Sequence, residues 1–153
     1  MRTILRPFVL LSLALCTAPL LIAQDDNPFK EGSVFTVAMI RTEANSQEGY
    51  LKKLNDYWYP MITTAKEQGL ITSFTLLAGE FANQDDYDVM MLVEYPNLAA
   101  MDPDPAREAK WKAIRDALDA KVGGKDKVNA MTEQFGQMRE YMGNKVMREM
   151  LPK

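Results

Sequence analysis

The sequence contains no histidine. This absence removes the usual proximal haem ligand, imidazole acid–base pairs, Ser-His-Asp triads and most zinc sites. There is a single cysteine, Cys16, and it lies in an apolar N-terminal stretch, so no disulfide can form within one chain. An excess of basic charge is also missing. With 18 Lys and Arg against 21 Asp and Glu, the chain carries no polybasic patch, and nucleic acid is not an expected partner. Internal repeats and biased tracts are absent as well, which excludes solenoids, collagen and low-complexity disorder.

What the chain does have begins with an address. Arg2 and Arg6 give a basic start, residues 8–15 are apolar, and Leu21-Ile22-Ala23 precedes Gln24. Residues 1–23 read as a secretory signal peptide cleaved near Ala23, with a periplasmic or extracellular destination in a bacterium. Two alternatives stay open. Residues 7–23 would make a minimal uncleaved anchor, interrupted by Pro19, and Cys16 would take a lipid were Leu15 a smaller residue. Cleavage leaves 130 residues in which the basic count falls from 18 to 16 against 21 acids, net −5, with no thiol and no stable membrane span. Packing alone must then hold one domain, which a chain of this size and 47% apolar composition can supply.

Residues 24–32 are polar and read as a flexible lead-in to a domain at 33–151. Residues 33–41 (SVFTVAMIR) have the β-branched, apolar character of a strand. From Tyr50, apolar positions at Leu51, Leu54, Trp58, Met61 and Ala65 recur at helical spacing, with Ser46 a candidate N-cap and Gly69 a stop. Pro60 inside this helix predicts a kink at Tyr59. Residues 71–79 and 87–95 read as two strands that pair as a hairpin, the second ended by Pro96. Residues 106–122 form a helix closed by Gly123-Gly124, and 125–142 continue as helix. Residues 143–151 fit either a helix or, better, a final edge strand.

This order is the split βαβ of a ferredoxin-like α+β sheet, four antiparallel strands with helices on one face. Strand alternation puts Val34, Ala38 and Ile40 on one side and Phe35, Val37 and Met39 on the other; Val89, Met91 and Val93 likewise oppose Met90 and Leu92. Both faces are apolar, yet two crossovers cover only one. A second copy of the chain, sheet against sheet, is the economical cover; the alternative is that residues 125–142 fold back over the bare side.

Several stretches carry a family likeness. Residues 35–41, the Tyr57-Trp58-Tyr59-Pro60 helix, Asp85-Asp86-Tyr87-Asp88 leading into 90–95, and the terminal 143–149 resemble secreted, mostly uncharacterised bacterial members of the dimeric α/β barrel superfamily. The likeness spans about residues 33–151. It implies two ferredoxin-like protomers joined sheet to sheet, with a cavity between each sheet and its helices. It leaves activity open, since that superfamily holds cofactor-free oxygenases, isomerases and proteins without known activity. The lack of histidine departs from many of its active members.

No cofactor or metal site is expected. Val122-Gly123-Gly124-Lys125 lacks phosphate-loop spacing, and the acids at 83–88 do not fit a helix-loop-helix calcium site. What remains is aromatic and carboxylate. Tyr57, Tyr59 and Asp88 are the candidate catalytic residues, as proton-transfer groups of a cofactor-independent oxygenase or isomerase. Trp58, Trp111, Tyr95 and Met90 are the candidate binding residues for a small apolar or aromatic molecule. The plainer reading is that Trp58 and Trp111 are core and the tyrosines half-buried. If buried, Asp88 needs a partner such as Arg41, Arg139 or Arg148. It and Glu94, six residues apart on one strand, are too distant to form a carboxylate pair.

Overall fold

A computed structural model describes residues 26–83 and 85–153. The signal, anchor and Cys16 alternatives at 1–23 lie outside the described residues. Along the chain come β1 (Phe29–Thr42), α1 (Gln47–Asp56), α2 (Trp58–Glu67), β2 (Ser73–Ala78), β3 (Val89–Tyr95), a 3-10 turn (Leu98–Met101), α3 (Pro105–Val122), α4 (Lys125–Met138) and β4 (Arg139–Pro152). The strands make one antiparallel sheet in the order β2-β3-β1-β4. This α+β arrangement is compatible with a ferredoxin-like fold. Among the described residues no helix is long and apolar enough to cross a membrane.

Local chemistry explains most boundaries. Asp104 caps α3, its carboxylate accepting the Arg107 N–H at 2.7 Å, and Pro105 fills the first helical position, where no donor is needed. Ser46 stands at the N-cap of α1 but its hydroxyl makes no capping bond. The expected kink is displaced. Continuing α1 straight through would drive the Pro60 ring into the carbonyl of Asp56, and the helix instead breaks at Tyr57 (φ −128°, ψ −58°). Pro60 then becomes the third residue of a new helix, where a backbone donor has no partner to lose.

Two boundaries differ from the sequence reading for one reason, the length of the β1–β4 ladder. β1 starts at Phe29, inside the expected lead-in, and pairs Phe29, Lys30 and Glu31 with Pro152, Leu151 and Met150. Residues 139–142, read as helix, belong to β4, where Arg139, Glu140 and Tyr141 face Thr42, Arg41 and Ile40. Pairing with a 14-residue strand outweighs the helical preference of Arg, Glu and Met. Gly143, at φ +150°, occupies the irregular step between the Met39 and Ile40 pairings. The end of this ladder, Phe29–Glu31 against Met150–Pro152, runs past the last residues of β1 that β3 pairs, as a two-stranded ribbon.

All four helices lie on one side of the sheet. α2 and α3 cover a cluster of Ile62, Ala65, Leu70, Ile71, Val93 and Ile114, flanked by Trp58, Phe74, Tyr95 and Trp111. α1 and α4 cover a second cluster of Ile40, Tyr50, Leu54 and Val89, flanked by Leu76, Met91, Phe135 and Met138. Gly49 in α1 leaves room for Met138: a Cβ there would meet the Met138 methyl at 2.6 Å. Because Phe135 and Met138 point into this cluster, α4 does not fold back over the other face. On that face the cross-strand partners Phe35, Met39, Leu92, Met90, Leu77 and Met147 are partly or largely exposed and make an apolar field that no described helix covers, with Val37 buried among them at 4% exposure. β4 is the least sheltered strand, with Tyr141, Val146, Met147 and Met150 between 45 and 53% exposed.

Candidate functional site

The sequence-selected tyrosines do not converge with Asp88. Tyr57, at the break between α1 and α2, donates its hydroxyl to Asp119 of α3 at 2.9 Å. Partial burial and that carboxylate hold its pKa above the ordinary tyrosine value. Tyr59 is 46% exposed and stands edge-on to Trp58 and Phe74, with centroids 6.4 and 5.2 Å away. Asp88 is buried at the opposite end of α1, and none of the expected arginines reaches it. Its carboxylate accepts the Thr42 N–H at 2.8 Å, the Thr42 hydroxyl at 2.5 Å and the Gln47 amide at 2.9 Å. Neutral donors at the β1–α1 junction thus replace the ion pair expected from the sequence. The side chain does not join Met90 and Leu92.

The four binding candidates are divided as well. Trp58 spans both core clusters, while Trp111 and Tyr95 border the α2–α3 cluster. Burial raises the Tyr95 pKa, opposed by its bond with Thr36. Trp111 and Tyr95 share a shallow cleft of about 300 Å³ with Met101, Asp104 and Arg107. Met90 lies on the other face of the sheet, between Met39 and Leu77. A pocket combining all four residues would have to pass through the sheet.

The most developed polar site is one the sequence did not single out. Tyr50 has no solvent-exposed surface, and its hydroxyl accepts a hydrogen bond from Arg139 Nη1 at 2.7 Å. Burial raises the Tyr50 pKa, partly offset by the guanidinium. The Arg139 guanidinium carbon lies 5.4, 5.7 and 5.9 Å from the ring centres of Tyr50, Phe135 and Tyr141. Phe135 meets the Tyr50 ring edge-on at 5.5 Å. Thr42, opposite Arg139 in the β1–β4 ladder, belongs to the Asp88 cluster, so the two polar sets are neighbours. No short-range motif announces this site: Tyr50 and Arg139 are 89 residues apart.

Chemically, the arrangement holds a cation rigidly and a buried phenol neutral. Among the described residues, no three His, Cys, Asp or Glu side chains gather where they could hold a metal ion. In comparisons with known proteins, no protein family, no curated protein and no solved structure matches the chain.

Proposed function

We propose that the chain acts as a secreted or periplasmic homodimeric interaction module whose two copies meet through the uncovered sheet face. The observation that carries this reading is the partly exposed apolar field of Phe35, Met39, Met90, Leu92, Leu77 and Met147 around the buried Val37, on the side away from every helix. Strands ~4.8 Å apart rising ~3.3 Å per residue give that face a flat area on the order of 600 Å². With side-chain relief added, this approaches the roughly 800 Å² per partner of a stable interface.

Charge favours a second copy of the same chain as the occupant. Lys145 on β4 and Glu94 on β3 lie on this face, on opposite sides of β1. Bonds from the Ser33 and Ser73 hydroxyls hold Glu94 below the usual carboxylate range and keep it ionised. A two-fold axis along the strand direction lays β4 over the partner's β2, and turns each Lys145 towards the partner's Glu94. The likeness to dimeric α/β barrels points to the same assembly. A catalytic reading has less support, because Tyr57 and Asp88 are engaged with separate partners and Tyr59 faces solvent.

Analytical ultracentrifugation of the chain beginning at Gln24 tests this proposal. We expect twice the chain mass at micromolar concentration, and a single-chain mass for Leu92→Lys with an unchanged circular dichroism spectrum. A wild-type monomer at that concentration would overturn it. Saturable turnover of a phenol, quinol or sugar would instead establish an enzyme.

A further inference from the structure

Three arginines lie along the β1–β4 ladder, all half-buried. Arg41 is paired with Glu140 and Arg148 with Glu31. Arg139 is the exception: no carboxylate oxygen among the described residues approaches it within 4.0 Å. Asp88, whose carboxylate binds the Thr42 that faces Arg139 across the ladder, is committed to Thr42 and Gln47. A partly desolvated charge without a counter-ion is costly, and a ligand that supplies the missing anion recovers that cost.

We propose that Arg139 anchors a binding site for a small arylcarboxylate at the open margin of the α1–α4–β4 half of the core. The guanidinium donates one hydrogen bond, to the Tyr50 hydroxyl, and its remaining N–H groups have no acceptor among the described residues. Three aromatic rings within 5.9 Å fix the fork in place before any ligand arrives. A fixed planar fork matches the two oxygens of a carboxylate. The aromatic part of the ligand is assigned from Tyr141, which is 53% exposed beside the cation and offers a ring face next to the charge. A single guanidinium suits a monoanion better than a phosphate dianion. This site lies on the helix side of the sheet and does not depend on whether two copies pair.

Calorimetric titration of the purified chain with benzoate, acetate and inorganic phosphate tests the assignment. We expect saturable binding of benzoate, weaker binding of acetate and of phosphate, and a loss of about tenfold or more in benzoate affinity for Arg139→Gln. Tyr141→Ala removes a half-exposed ring beside the fork; it should weaken benzoate binding by a larger factor than acetate binding, and it decides the matter if Arg139→Gln does not fold. Absence of saturable benzoate binding, or equal affinity in a folded Arg139→Gln, overturns the site. Phosphate binding as tight as benzoate, or a Tyr141→Ala variant of unaltered affinity, overturns the arylcarboxylate class.

Discussion

The two halves of the core bury different chemistry. Under α2 and α3 the contacts are those of Ile62, Ala65, Leu70, Ile71, Val93 and Ile114, with aromatic rings around them. Under α1 and α4 the same kind of aliphatic packing encloses a phenol, reached by a guanidinium from β4 and bordered by the Asp88 cluster. The first half is held by apolar packing. The second combines stability with fixed polar groups, and those are what recognition requires. Trp58 packs against both.

Removing carbon from the first half should produce the largest loss. Ile114→Ala is expected to cost about 2 to 5 kcal/mol, because the site is enclosed and can collapse only in part. Urea unfolding measures it, and a change below about 1 kcal/mol would mean that this half is loosely packed. In the second half the cost should come from orphaned donors. Asp88→Ala leaves the Thr42 N–H and the Thr42 hydroxyl without their acceptor, and the Gln47 amide with only the Gly79 carbonyl, for a loss of about 2 kcal/mol. Asp88→Asn, which keeps one acceptor oxygen, should lose less in the same assay.

Tyr50→Phe comes next, at about 1 kcal/mol, since it removes the bond from Arg139 and a long, weak one to the Met91 sulfur while leaving the packing intact. It also has a pH signature. The folded-state pKa of Tyr50 is raised above its ordinary 10.0, so its contribution is fully present below about pH 10 and is lost as pH rises through the folded value. Melting temperatures across that range should fall more steeply for the wild type than for Tyr50→Phe; parallel curves would show that the phenol is not held neutral. The smallest effect belongs to Tyr57→Phe. Its bond to Asp119 is only half-buried, and a loss of about 0.5 kcal/mol in urea unfolding is expected.

How legible these features were depended on how far their causes reach along the chain. Strand alternation at 34–40 and 89–93 is local, and the two-faced sheet followed from it. The signals at each end of α3, Pro105 and Gly123, sit within a residue of the boundary they set, and the expected helix at 106–122 matches Pro105–Val122. The α4–β4 boundary was hidden, because residues 137–142 contain neither Pro nor Gly and the switch to strand depends on Thr42, Arg41 and Ile40 far upstream. Partner choice at Asp88 was hidden in the same way. Charge suggested arginine, whereas closure of the β1–α1 turn delivers Thr42 and Gln47, 46 and 41 residues away. Met90 was grouped with aromatic residues by composition, although the alternation of β3 already placed it on the opposite face from Val89 and Met91.

The ribbon that closes the β1–β4 ladder has a topological consequence. Phe29 faces Pro152, and the Lys153 N–H donates to the Pro28 carbonyl at 3.0 Å, so the described polypeptide is almost a ring. A short linker from Lys153 back to Pro28, with new ends cut between Gly123 and Gly124, should give a circular permutant whose strand order is untouched. Whatever is fused ahead of Pro28 emerges beside whatever is fused after Lys153, and reporters at the two positions would sit side by side.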